Sequence, residues 1–155
     1  MICLGVDPGT VNAGIAVIRS EQGIVKRIHS ETLPLKSSGE LCFRLSKLHA
    51  RISELLEEHN PDEAAVERVF FGVNAKSALA LGHARGAVLA ALGSKEIDFF
   101  EYSPSELKKA VTGRGNATKE QVAKMVTVIL GGYQAKGNDE SDALAVAICH
   151  ANRRR

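Results

Sequence analysis

The chain has 155 residues, 45% apolar and 25% charged, with 20 Lys plus Arg against 18 Asp plus Glu and a formal net charge of +2. That length predicts a single domain over residues 1–155 with a core of its own, and the composition excludes disorder and low complexity. The near-neutral balance argues against a polybasic nucleic-acid tail. No apolar run approaches the roughly 18 residues of a membrane span. The start MICLGVDPGT lacks a charged n-region and meets an Asp at position 7, so it does not read as a secretion signal. Cys3, Cys42 and Cys149 show no CxxC spacing. Free buried thiols in a reducing, cytoplasmic setting are expected, not a disulfide framework or a zinc site.

Residues 2–6 (ICLGV), 13–19 (AGIAVIR) and 24–33 (IVKRIHSETL) are apolar or alternating runs separated by Gly, Pro and a Glu-Gln-Gly turn. They predict a three-stranded antiparallel meander. From Gly39 the period changes. Leu41, Leu45, Leu48, Ile52, Leu55 and Leu56 recur at three and four, one face of an amphipathic helix, with Ser37 or Ser38 as cap and Pro61 beyond its end. Residues 63–71 (EAAVERVFF) read as a short buried strand. Residues 74–92 read as a helix between Asn74 as N-cap and Gly93 as stop. Its Ala75, Ala78, Gly82 and Gly86 stack along one side. An interior Gly costs about 1 kcal/mol in a helix, which close approach to a sheet or another helix would offset.

Residues 97–102 (IDFFEY) read as a strand. Ser103-Pro104-Ser105-Glu106 is a capping box with Pro at the first helical position, and Gly113-Arg114-Gly115 breaks the helix that follows. Thr118-Lys119-Glu120-Gln121 opens another helix, to about Leu130, stopped by Gly131-Gly132. A last helix runs from about Glu140 to Asn152. The order β-β-β-α-β-α-β-α-α-α predicts an α/β fold, a mixed sheet with helices on its faces. Periodicity leaves the strand order open.

Asp7 ends the first strand and meets Pro8-Gly9. It reads equally as a site carboxylate or as an Asp opening a turn. Glu67 falls among Val66 and Val69 in an apolar strand, where an unpartnered carboxylate is costly; the exposed face of an edge strand is the other reading. Asp139, Glu140 and Asp142 suit the first turn of a helix, where acids meet the positive end of the dipole. Asp139 and Asp142 are three apart and share one side of that turn. Four carboxylates from three segments can thus meet at one sheet edge. Like charges in contact do not all ionise unless a cation neutralises them, and an oxygen-only cluster suits Mg²⁺ or Mn²⁺. Two such ions about 3.5–4 Å apart would activate water and stabilise the leaving oxygen in phosphodiester cleavage.

Four segments carry a resemblance: LGVDPGTVNAGIAV, AAVERVFFGVNAKSALALGHARG, SPSELKKAVTGRGNATKEQVAKMV and DESDALAVAICH. In this order and spacing they resemble the RuvC family of Holliday-junction resolvases, within the ribonuclease H-like superfamily. The DPGT turn alone is not specific, since sugar-kinase and actin-like ATPases share a similar phosphate-binding turn. Those enzymes need a second phosphate loop and an adenosine site, for which 155 residues leave no room. A binding module that kept only the fold would lack one or more of the four acids, and all four are present. A ribosomal-RNA-trimming relative shares the acids, but the segment VERVFFGVNAKSALALG favours the resolvase.

The resemblance implies a ribonuclease H-like, five-stranded mixed sheet flanked by helices. It implies that Asp7, Glu67, Asp139 and Asp142 hold two Mg²⁺ ions per subunit, with Mn²⁺ as a substitute. Some members have His where this chain has Asp139. Glu140 has no family role and is expected to be an exposed first-turn acid. The implied activity is symmetric nicking of two opposed strands of a four-way DNA junction by a homodimer, leaving 5′-phosphate and 3′-hydroxyl ends. The implied further partner is a branch-migration motor of the RuvA and RuvB type. Phe70 matches an aromatic that stacks on a base near the crossover. Lys108 and Lys119 are the expected phosphate binders, with Lys109, Arg114, Lys76 and Arg85 as further ones. The small face around Ala78, Gly82 and Gly86 is expected at the dimer interface. His83 and His150 receive no role. Two divalent ions on four acids would bring the net charge from +2 to about +6, so the basic residues that face DNA are partly masked in the sum.

Overall fold

The structure is a computed structural model and describes residues 1–68 and 75–154. Three strands run as the meander predicts: β1 (Ile2–Asp7), β2 (Asn12–Glu21) and β3 (Ile24–Pro34), paired antiparallel. Gln22 and Gly23 turn β2 into β3, both at positive φ. β4 (Glu63–Glu67) joins β1 in parallel and β5 (Phe99–Tyr102) joins β4 in parallel, giving the sheet order β3-β2-β1-β4-β5. The first strand is therefore central, and the sheet is mixed.

Successive side chains of β1 point to opposite faces and divide the core. Cys3 faces Leu107, Val122, Leu144 and Ile148, contributed by α3 (Pro104–Thr112), α4 (Lys119–Ile129) and α5 (Asn138–Arg153). Leu4 and Val6 face Leu48, Ile52, Val88 and Leu92, contributed by α1 (Leu41–His59) and α2 (Ala75–Ser94). The sheet is the middle of three layers.

Every residue of α5 from Ala143 to Ala151 is buried. Two sheet glycines explain how it lies so close. A Cβ on Gly5 would stand 2.5 Å from the carbonyl oxygen of Ala143, and one on Gly14 would stand 1.8 Å from that of Asp139. Any side chain there would push the helix off β1 and β2.

Several boundaries differ from the sequence reading. Ser37 and Ser38 do not cap α1; they form a 3₁₀ turn, Lys36–Ser38, because buried Leu35 folds back so that its N–H and that of Lys36 both donate to the carbonyl of Val11. The cap is Glu40, with no side-chain hydrogen bond. β4 ends at Glu67, not at residue 71, and Val69, Phe70, Phe71 and Asn74 lie outside the described residues. β5 begins at Phe99 instead of Ile97. Gly93 does not stop α2, which continues to Ser94. α5 begins at Asn138, two residues before the expected start, and takes Asp139 into its first turn. Both predicted capping boxes are present: Ser103 with Glu106, and Thr118 with Gln121. Cys3 and Cys149 are buried as expected, whereas Cys42 is exposed on the outer face of α1.

Candidate active site

Two strand ends and one helix start build the site. Val6 of β1 pairs with Val66 of β4, so Asp7 and Glu67, one residue further on, stand side by side at the carboxyl ends of parallel strands. Across the other edge of β1, Asp7 pairs with Gly14, whose missing side chain admits the backbone of Asp139. Asp142 follows three residues later on the same side of α5. The fold thus brings all four predicted acids to one end of the sheet.

Their electrostatics are mutual. Burial pushes the Asp7 carboxyl up to about 7, and the charges of Glu67, Asp142 and Asp139 push the same way, against the ammonium of Lys119. Glu67 is also raised, first by burial and then by Asp142, while Lys119 and a hydrogen bond with Asp7 oppose the rise. Asp7 and Glu67 are hydrogen-bonded to each other and both are raised, as expected when buried carboxylates lack a full counter-charge. The local cation is Lys119, whose Nζ donates to Asp142 Oδ2 at 3.2 Å. That side chain is 74% exposed, so the ion pair adds little stability by itself.

Glu67 and Asp142 line a cavity of about 90 Å³ with Lys108, Lys119 and the apolar Leu107 and Val122. Asp139 lines a neighbouring depression with Gly9, Thr10 and Asn12 of the β1–β2 turn and Ser77 and Leu81 of α2. Among the described residues no three His, Cys, Asp or Glu side chains close on a common point as those of a filled metal centre would.

The basic residues separate into groups. Lys108 and Lys119 border the acids directly. Lys109 and Arg114 are exposed at the end of α3 and just beyond it, where Thr112 Oγ1 holds the backbone N–H of Arg114. Lys76 is exposed in the first turn of α2. Arg85 is engaged within the chain: its Nε and Nη2 both donate to Glu101 Oε1, at 2.9 and 2.7 Å. Phe70 lies outside the described residues. On α2 the buried face is Ala84, Val88, Ala91 and Leu92. Gly82 and Gly86 are exposed, with no atom within 4 Å of a Cβ built on either, and Ala78 is half-buried beside them. Among the described residues these glycines make no close backbone approach to another element.

Glu140 overturns its expectation. It is 1% exposed, and accepts hydrogen bonds from Ser30, Tyr133 and the backbone of Lys136. His150, given no role from sequence, is fully buried at the other end of α5. Its Nδ1 lies 2.8 Å from Tyr102 Oη and its Nε2 2.7 Å from Glu63 Oε2. Burial lowers its pKa, so the neutral ring donates from Nε2 to the carboxylate and accepts from the tyrosine. Arg154 completes the pair with Glu63.

The pattern that defines the family described as crossover junction endodeoxyribonuclease RuvC matches residues 3–150. The chain belongs to the RuvC family. A RuvC-family relative from Cytophaga hutchinsonii, a crossover junction endodeoxyribonuclease, is 45% identical over 150 residues, 96% of this chain and 75% of that one. The corresponding protein of Moorella thermoacetica is 40% identical over 153 residues, 98% of this chain and 92% of its own. The T. thermophilus RuvC solved in complex with a Holliday junction substrate matches with a TM-score of 0.94 at 34% identity, covering 100% of this chain and 95% of the other. The ribonuclease H-like architecture implied by the four segments is the architecture observed.

Proposed function

We infer that this chain is a crossover junction endodeoxyribonuclease, which resolves four-way DNA junctions by nicking two opposed strands and leaves 5′-phosphate and 3′-hydroxyl ends. The observation that carries the assignment to these residues is the meeting of Asp7, Glu67, Asp139 and Asp142 at the carboxyl ends of β1 and β4, beneath the start of α5.

We propose that these four acids hold two Mg²⁺ ions, with Mn²⁺ as a substitute. The donor set is oxygen only, the chemistry both ions prefer. The rise of Asp7 and Glu67 supports the reading, because the cluster carries more negative charge than Lys119 compensates. Divalent ions held there supply activation of water and neutralisation of charge at the leaving oxygen. The chain's own residues do the rest. Lys119 is 74% exposed, donates to Asp142, and can turn to a phosphate oxygen when the acid finds another partner. Lys108 lines the same cavity and is the second cation beside the acids. Lys109, Arg114 and Lys76 lie further out and serve the backbone of the junction arms. Phe70 matches the family's aromatic that stacks on a base near the crossover, where stacking contributes about 1–3 kcal/mol.

We propose a homodimer, in which the exposed small face of α2 at Ala78, Gly82 and Gly86 is where a second copy approaches. Residues 1–155 form one nuclease domain in this reading, and the three free thiols suit a cytoplasmic setting. The family implies a branch-migration motor of the RuvA and RuvB type as partner.

Substituting each acid by its amide tests the assignment. Asp7→Asn should abolish nicking of a synthetic four-way junction while leaving junction binding in chelator intact or tighter, since a repulsive charge goes. Retained nicking in Mg²⁺ would refute the role of Asp7.

A further inference from the structure

Glu140 lies between Asp139 and Asp142 in sequence, yet its side chain turns into the protein. Its Oε1 accepts from Ser30 Oγ at 2.5 Å and from Tyr133 Oη at 2.7 Å, and its Oε2 accepts from the Lys136 N–H at 2.7 Å. Arg27 backs this cluster: its Nε donates to Ser30 Oγ at 2.5 Å, and its guanidinium lies over the Tyr133 ring at 4.2 Å. One buried carboxylate therefore ties the first turn of α5 to β3 and to the loop that precedes the helix.

That turn needs a tie. Its N-cap is Gly137, which offers no side chain to the free N–H groups. It carries Asp139, with Asp142 three residues on; both charges press against Asp7, and that of Asp142 also against Glu67. The hydrogen bonds of Glu140 to Ser30 and Tyr133 oppose that repulsion from the side of β3.

We propose that Glu140 is a positioning residue. It clamps the start of α5 to β3 through Ser30 and Tyr133, and so holds Asp139 and Asp142 where they meet Asp7 and Glu67. Both oxygens of Glu140 are taken up by these hydrogen bonds, which sets it apart from the four acids read as ligands. The inference rests on the reading of Asp139 and Asp142 as metal ligands, and the test separates the two.

Mn²⁺ binding to the full chain, without DNA, is measured by titration calorimetry and electron paramagnetic resonance. Glu140→Ala is expected to weaken Mn²⁺ binding by about tenfold or more, the scale typical of lost outer-shell support. Its circular dichroism and its junction affinity in chelator should match the parent. Glu140→Gln should bind Mn²⁺ within about threefold of the parent. A turned amide can give its oxygen to the Lys136 N–H and its NH₂ to the Ser30 and Tyr133 oxygens, so the clamp survives without its charge. Tyr133→Phe and Ser30→Ala should each give a partial loss, and they carry the test if Glu140→Ala does not fold. Parental Mn²⁺ affinity in folded Glu140→Ala overturns the clamp, as does a Gln variant no better than Ala. Asp142→Asn is the control: parental affinity there would overturn the metal reading itself, whereas a loss there with none in Glu140→Ala overturns the clamp alone.

Discussion

A Cβ on Gly14 would stand 1.8 Å from the carbonyl oxygen of Asp139. The strand that pairs with Asp7 is thus also the floor on which the first turn of α5 rests. Gly14→Ala must displace that turn. Overpacking of this kind costs about 1–3 kcal/mol, or about 2–4 °C of melting temperature per kcal/mol for a chain of this size. The larger effect falls on catalysis, since a shift of about 1 Å can cost about a hundredfold in rate. Single-turnover nicking should fall by that order while junction binding holds, measured side by side on the folded variant.

The Asp7 carboxyl, raised to about 7, gives the metal-free protein a specific pH response. An acid raised on folding binds its proton more tightly in the native state. The stability it contributes is complete below its unfolded value near 4 and is lost as pH rises towards 7, with a total on the order of a few kcal/mol. Asp7→Asn removes this dependence. In chelator, the melting temperature of Asp7→Asn should therefore gain on the parent between pH 5 and 7.5, and Mg²⁺ should restore the parent at the upper end. Two parallel melting curves would contradict the proposed coupling.

Lys119 is paired with Asp142 and also lowers Asp7 and Glu67. If its ammonium passes to phosphate in the complex, Lys119→Met should weaken junction binding and flatten the plot of log affinity against log salt by about one. Mn²⁺ affinity without DNA should not fall, because a competing cation has gone. Filter binding over a salt series and calorimetry check the two halves separately.

A Cβ on Gly82 has no atom within 4 Å, so a leucine there points into open space within the chain. Gly82→Leu should keep or raise the helicity of α2, where an interior Gly costs about 1 kcal/mol. At an interface between two copies the same leucine forces them apart. Sedimentation velocity should show a folded monomer, and an unchanged dimer would remove α2 from the interface.

What is legible in the sequence is local. The two capping boxes declare themselves because Glu106 and Gln121 stand three residues after their caps. Asp7 reads as a strand end and Asp139 and Asp142 as a helix start, whereas Glu67 reads as mid-strand and proves to be the last residue of β4. Contacts between distant segments are not legible. Glu140 reads as an exposed first-turn acid because its partner Ser30 lies 110 residues away, and nothing near it in sequence signals a buried acceptor. Arg85 reads as a phosphate binder because Glu101 sits on another element. Ser37 and Ser38 have the chemistry of caps, but buried Leu35 draws them into a turn of their own.

The central claim is that this site cuts junctions and uses divalent ions to do so. Its most direct measurement incubates the full chain with a synthetic four-way junction and with the matched linear duplex, each in Mg²⁺ and in chelator. The predicted result is paired, symmetric nicks in two opposed strands of the junction, only in Mg²⁺, carrying 5′-phosphate and 3′-hydroxyl ends. Equal cutting of the linear duplex, or nicking that persists in chelator, would contradict it.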